Sequence, residues 1–331
     1  MSAASFPALL QRFFTDRLVH QLDASEHTVA SYSDTFRLLL AFAEERLGRA
    51  PSALNLEDLD ASFLSLFLDH LESGRHNCIR TRNTRLAALH AFFRYAAFAE
   101  PAYALQCQQV LAIPGKRHAR GPVEFLSEKE AAALTAAPDA SRWIGRRDRT
   151  LLLLALQTGL RCTELISLRR RDVELGVGAH VRCIGKGRKM RCTPLRPDVA
   201  HAVASWLKEQ GGDPEDPLFP NSSGRALSPD AVQRLVARHA AAACRSCPSL
   251  AGRKVTPHTL RHSTAMDLLR RGVDLTVIAL WLGHESTEST QAYIHADMGL
   301  KEKALSHASP SGLSPARFRP TDRLLAFLEA L

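Results

Sequence analysis

Arg161, Lys186, His258, Arg261, His284 and Tyr293 are scattered over the C-terminal half of the 331-residue chain and form an unusual chemical inventory. Guanidinium groups hold the oxygens of a phosphate in two-point fashion. Lysine and imidazole side chains move protons near neutral pH once their surroundings tune them. A tyrosine hydroxyl can attack phosphorus after losing its proton, and its ordinary pKa of ~10 demands an acceptor beside it. The set contains what is needed to break a phosphodiester with a protein nucleophile, with no call for a metal ion or an organic cofactor.

Each member sits in a short motif. Thr158–Leu165 reads T-G-L-R-C-T-E-L: Gly159 permits a sharp turn, Arg161 stands at a helix start, and Glu164 lies on the same face, placed to fix the arginine. Ile184–Arg191 reads I-G-K-G-R-K-M-R and puts Lys186, Arg188 and Lys189 at the tip of a hairpin, where a lysine reaches a groove of DNA. Thr256–His262 reads T-P-H-T-L-R-H, with Thr256 as N-cap and Pro257 at the first helical position. In that register His258 and Arg261 share a face, and His262 lies one turn from His258. Leu282–Glu285 reads L-G-H-E, and H-E-S-T-E departs from the zinc-protease H-E-x-x-H because Glu288 stands where the second histidine belongs. Taken one at a time, each motif also fits a plain role as a capped helix with a surface ion pair, a basic loop or a half-buried aromatic.

The elements that must position these residues are mainly helical. Val29, Tyr32, Phe36, Leu39, Leu40 and Ala43 form an apolar stripe over Thr28–Leu47. Asn55 or Asp58 opens the next helix, which stops near Gly74, and a third spans Ile79–Ala97 with Leu86, Leu89, Phe92 and Phe93 buried. On that third helix Arg82 and Arg85 share a side, with Arg75 and Arg80 close by; they read either as a solvated face or as a phosphate-contacting edge. Residues 114–125, rich in Pro, Gly and cations, read as a basic linker whose Lys116, Arg117 and Arg120 would run along a nucleic-acid backbone. Ser127 followed by Glu130 is a capping box that opens a second domain. There the pattern predicts a helix over Arg149–Gln157 and a hairpin from Ala179–Gly185 and Arg191–Leu195. Helices then follow at Asp198–Gln210, Pro229–Ala243, Pro257–Arg271, Leu275–Leu282 and Thr287–Ala296, and the chain ends in a short apolar helix.

Charge is divided unevenly, with a balance of −2 over residues 1–113 and +11 over residues 114–331. A basic C-terminal half points to a polyanion, because neutralising phosphates releases counterions. The 7 cysteines do not form a disulfide framework, and Cys244 and Cys247 make one C-x-x-C without a second pair. No apolar run approaches a membrane span and the N-terminus has no secretory pattern, so a cytoplasmic, nucleoid-associated setting is expected.

In their order and spacing the motifs T-G-L-R-x-x-E-L, G-K-G-x-K-x-R, H-x-L-R-H, L-G-H and the later tyrosine resemble the tyrosine recombinase (phage integrase) family, over nearly the whole chain. The resemblance implies a two-domain, C-shaped DNA clamp. It consists of a helical, SAM-like core-binding domain (1–113), the linker (114–125), a mainly α catalytic domain with a small β-hairpin (126–306) and a C-terminal tail (307–331). It implies that Tyr293 attacks the scissile phosphate to form a 3′-phosphotyrosyl bond. Arg161 and Arg261 would clamp the phosphate, Lys186 would protonate the leaving oxygen, His258 would accept the tyrosine proton and His284 would hydrogen-bond the phosphate. Glu164 and His262 would support them. The partners implied are double-stranded DNA and further protomers, a dimer per site and a tetramer on DNA, with an accessory recombinase possible in principle. A type IB topoisomerase and a non-catalytic DNA-binding protein on the same fold are the alternatives, the second disfavoured because every active position is filled. The tail runs 38 residues past Tyr293, and its apolar helix would dock either on a neighbouring protomer or on its own domain.

Overall fold

A computed structural model describes residues 5–118, 123–185, 190–283 and 293. The chain divides into two compact units, residues 1–121 and 122–331. Lys186, Arg188, Lys189, Arg120, His284, the predicted helix over Thr287–Ala296 and the C-terminal tail lie outside the described residues.

The first unit is helical throughout. α1 (Phe6–Arg12) runs into a π-helical stretch (Phe13–Gln21), followed by α2 (Glu26–Leu47), α3 (Ala61–Ser73), α4 (Ile79–Ala99) and α5 (Ala104–Leu111). Side-chain oxygens start two of these helices: Ser25 accepts from the Thr28 N–H and Asp60 from the Phe63 N–H. Neither Asn55 nor Asp58 opens α3; together they cap a short 3-10 turn, Leu56–Leu59, and Asp60 takes the helix start. The core is aromatic. Phe92 of α4 meets Phe6, Phe13 and Phe36 edge-to-face at centroid distances of 5.8, 5.5 and 5.2 Å, a geometry the ring quadrupoles favour.

One expectation for this unit is corrected. Arg82 does not lie on a solvated face, and Arg85 is only partly exposed. Arg82 is 5% exposed, pairs with Glu72 and donates to the Pro114 carbonyl. Arg85 reaches the Ser31 carbonyl and the Thr35 hydroxyl on α2. The reason is visible in the spacing: Arg82 precedes Leu86, and Arg85 precedes Leu89, by one helical turn on the apolar stripe itself. The N-terminal end of the basic stretch is held against α4 and α3. Asn83 exchanges hydrogen bonds with both backbone groups of Lys116, whose ammonium lies 2.7 Å from Glu72. Arg80 and Arg117 are exposed.

The second unit contains α6 (Glu128–Ala136), α7 (Trp143–Thr158) and α8 (Cys162–Ser167). A three-stranded antiparallel sheet follows, β1 (Val173–Glu174), β2 (His180–Ile184) and β3 (Met190–Pro194), and then α9 (Pro197–Gln210), α10 (Pro229–Ala243), α11 (Pro257–Arg270) and α12 (Leu275–Leu282). The two-residue β1 is too short to leave a period in the sequence. α7 is the central helix, with Leu151, Leu152, Leu154 and Ala155 buried against α6, α9 and α11. At its N-terminal end the fully buried Asp148 takes hydrogen bonds from Arg147 and Arg238 and lies 2.8 Å from His239 Nε2, so the charge is compensated on every side. Cys244 and Cys247 are free thiols that hydrogen-bond locally, and the described residues include no cluster of three or more metal-ligating side chains.

The start of this unit is tied down by Glu130. Its carboxylate accepts from the Ser127 N–H, the Ser249 hydroxyl and Arg253, while Arg253 also reaches the Phe125 carbonyl and Leu126 N–H donates to Ser263 of α11. Burial alone would raise this carboxyl, but the hydrogen bonds and the guanidinium outweigh it and bring the pKa from 4.5 to about 2. A depressed folded-state pKa contributes stability that is full above pH 4.5 and is lost as pH falls toward about 2. Urea denaturation of wild type and Glu130→Gln is therefore expected to show a clear gap in midpoint at neutral pH that narrows steadily below pH ~4. A gap independent of pH would contradict this role for the carboxylate.

Candidate active site

The site is built where two helix ends meet one helix start. α7 and α12 each terminate in a left-handed glycine, Gly159 at φ 63° and Gly283 at φ 65°. Such ends leave carbonyls without intrahelical partners, carrying the negative end of the helix dipole. Here the free carbonyls hold the arginines. Arg261 of α11 donates from Nη1 to Gly159 O and from Nη2 to Leu282 O, both at 2.7 Å, and Arg161 donates from Nη2 to Gly283 O at 2.8 Å. A methyl group at Gly159 would stand 2.5 Å from Leu282 Cδ2, so this close approach admits no side chain.

Arg261 is only 3% exposed. Burial first, and the nearby Arg161 second, lower its pKa to about 10, which still leaves it cationic at neutral pH. Arg161 is the N-cap of α8 and is tied to Glu164: the Arg161 N–H donates to Oε2 at 2.7 Å and Nη1 to Oε1 at 2.8 Å. This is no surface ion pair, since Glu164 is 4% exposed and is also gripped by Arg191 of β3 at 3.0 and 2.8 Å. Burial would raise the Glu164 carboxyl; Arg191, the Arg161 backbone and the Arg161 guanidinium more than reverse this and hold it below its ordinary value. Arg161 and Arg261 each have five side-chain N–H donors and commit two of them to the protein, so about three remain on each.

Tyr293 is 2% exposed and packs with Ala265, Met266, Leu269, Ile278 and Leu282 of α11 and α12. Its hydroxyl lies 2.9 Å from His262 Nδ1, and the two rings meet edge-on at 5.5 Å. Burial raises the phenol pKa, with Arg261 and Arg161 pulling the other way. His258 stacks edge-on against His262, with centroids 4.2 Å apart, and is held below its ordinary pKa by desolvation and then by Arg261 and Arg161.

The structure thus brings Arg161, Glu164, His258, Arg261, His262 and Tyr293 to one place. The histidine at the tyrosine hydroxyl is His262, expected in a supporting role, and His258 packs edge-on against His262. The reason is helical spacing, since His258 is a full turn nearer the α11 N-terminus. Arg191 closes the motif G-K-G-x-K-x-R but was given no role of its own; it pairs across the hairpin with the buried Cys183, which puts a cation on the inward face of β3.

Gly159→Ala is a direct test of the helix-end design. A left-handed residue with a Cβ costs roughly 1–2 kcal/mol, before any cost of displacing Leu282. The variant is expected to melt lower than wild type and to lose phosphate-dependent chemistry through the displaced Arg261. Unchanged melting would show that the carbonyl turn has room to spare.

Comparison with known proteins places the chain in a family. The family model for the phage integrase family matches residues 124–299, and that for the phage integrase N-terminal SAM-like domain matches residues 11–100. A Sinorhizobium fredii protein named as an integrase/recombinase, y4rC, is 52% identical over 328 residues, covering 99% of both chains. The tyrosine recombinase XerC of Rhodospirillum centenum is 38% identical over 287 residues, covering 85% of this chain and 80% of its own. Among solved structures, the XerH site-specific recombinase bound to palindromic difH substrate, in a post-cleavage complex, shares the fold. Its TM-score is 0.70 at 24% identity, covering 86% of this chain and 81% of that one. The chain belongs to the phage integrase family, the tyrosine recombinases.

Proposed function

We propose that this recombinase cuts and rejoins double-stranded DNA through a covalent bond between Tyr293 and a 3′-phosphate. The observation that carries the residue assignment is the contact of the Tyr293 hydroxyl with His262 Nδ1, beside two guanidiniums anchored on helix-end carbonyls. The phenol, its pKa raised by burial, is protonated at neutral pH and must pass its proton on as it attacks. His262 Nδ1, unprotonated in the reactive tautomer, receives it. Arg161 and Arg261 present their remaining donors to the non-bridging oxygens, where negative charge builds up as phosphorus becomes five-coordinate. The bond from phosphorus to the 5′-oxygen breaks, and Lys186 is assigned to protonate that oxygen; His284 is assigned to the phosphate. A 5′-hydroxyl from a second duplex reverses the step. Bond energy is kept in the phosphotyrosine, so no nucleotide triphosphate is consumed.

Exchange between two duplexes calls for a protomer at each cut strand, hence a dimer per site and a tetramer across two sites. The exposed Arg80 and Arg117 and the partly exposed Arg85 stay as candidates for backbone contacts, and the buried Arg82 leaves that list. Reconstitution with this chain alone tests the need for an accessory recombinase. No helix among the described residues is long and apolar enough to cross a membrane.

The decisive measurement uses a nicked suicide duplex, selected by binding from a randomised pool, with the covalent adduct read on a denaturing gel. Tyr293→Phe is expected to bind this duplex normally and form no adduct; an adduct in the variant would sink the assignment of the nucleophile. His262→Ala is expected to slow adduct formation by ~10²–10⁴, the usual worth of a positioned base, and by more than His258→Ala. The reverse ranking would return the proton-acceptor role to His258.

A further inference from the structure

We propose that Arg191 is a positioning residue that saturates Glu164 and thereby keeps Arg161 available to the phosphate. The inference rests on the assignment of Arg161 to phosphate binding. An ionised carboxylate offers about four lone-pair sites. At Glu164 all are taken: Oε1 accepts from Arg161 Nη1 and Arg191 Nη1, and Oε2 from the Arg161 N–H and Arg191 Nη2. The fork of Arg191 spans both oxygens, which an ammonium cannot do.

The location is as informative as the bonds. Arg191 is on β3, one residue pair in from the end of the ladder that leads to the segment carrying Lys186 in the sequence. Its side chain is 12% exposed, and a methyl group at Gly283 would run into its Nη1, so it also abuts the turn whose carbonyl holds Arg161. Its buried Nε finds no acceptor among the described residues, so the group is held for what its two terminal nitrogens do. One guanidinium thus joins the hairpin, the Glu164 carboxylate and the α12 turn.

Removing Arg191 leaves a free lone pair on each oxygen of a buried carboxylate. The nearest donors able to fill them are the unspent N–H groups of Arg161, which would turn away from the DNA. The variant should therefore bind DNA normally and cleave slowly. Deleting the charge of Glu164 as well should relieve it, because a Gln amide has one acceptor oxygen and no net attraction for the guanidinium. Arg191 is also the leading group that lowers the Glu164 pKa, so without it the carboxyl protonates at higher pH.

The test compares wild type, Arg191→Met, Glu164→Gln and the double variant on the selected nicked duplex. The readouts are DNA affinity, single-turnover adduct rate and the pH dependence of that rate. Arg191→Met is expected to keep its affinity within about twofold while its adduct rate falls by ~10²-fold, and the double variant to recover about tenfold or more over Arg191→Met. Only the single variant with an intact Glu164 should gain a new dependence of rate on pH in the acidic range. A double variant as slow as the product of the two singles would overturn the proposal, since a merely structural role predicts that result. If Arg191→Met does not fold by circular dichroism, Arg191→Lys takes its place: it serves one oxygen, and the same rescue by Glu164→Gln is expected. Wild type forming no adduct would refute the functional reading itself, whereas wild type and Arg191→Met reacting at equal rates would refute this proposal alone.

Discussion

A buried guanidinium held by helix-end carbonyls is the constraint on which the catalytic unit depends. Arg261 is nearly inaccessible, and taking an ion out of water costs several kcal/mol even after relaxation. Two charge-assisted hydrogen bonds, each worth about 1.5–3 kcal/mol, offset much of this, and both acceptors are carbonyls that a terminating helix leaves unsatisfied. The arrangement solves two problems at once, the orphan carbonyls of α7 and α12 and the lone cation of α11. It also dictates that Gly159 and Gly283 be left-handed and without side chains, because any Cβ there meets Leu282 or Arg191.

Around that centre the charges are graded. Among the described residues Arg261 hydrogen-bonds carbonyls and no carboxylate, so its charge is not neutralised by a bonded partner there. Arg161 and Arg191 share one carboxylate, leaving a net positive charge among the three. The same field bears on Tyr293 and His258, lowering the pKa of the imidazole and opposing the effect of burial on the phenol. Electrostatic preorganisation of this kind is in place before substrate arrives and needs no rearrangement when charge develops.

Much of the architecture was legible in advance because it is local. The α10 and α12 boundaries match the sequence pattern, and Thr256, Pro257 and the Ser127–Glu130 box mark helix starts through backbone hydrogen bonds reaching three residues at most. The residues brought together at the site were also legible, though mainly through the order of their motifs, since no motif was persuasive alone. Less visible was where a cation on an apolar stripe goes. Arg82 and Arg85 lie on the apolar stripe of α4, and their internal bonds hold α4 to α2, α3 and the start of the linker. Burial of a charge depends on an acceptor supplied by another element, and periodicity does not record one.

The amino-acid sequence by itself determined the helical content, the position of the hairpin, the caps and the chemical inventory, since each follows from neighbours within a turn or two. Tertiary structure alone decided that His262 rather than His258 meets Tyr293, and that Arg191 completes the shell of Glu164. It also decided that the carbonyls of Gly159, Leu282 and Gly283 are the anchors of the arginines. Those contacts join residues between 21 and 122 positions apart. Their geometry is fixed by how α7, α8, β3, α11 and α12 pack, at a precision of a few tenths of an ångström that spacing along a chain does not carry.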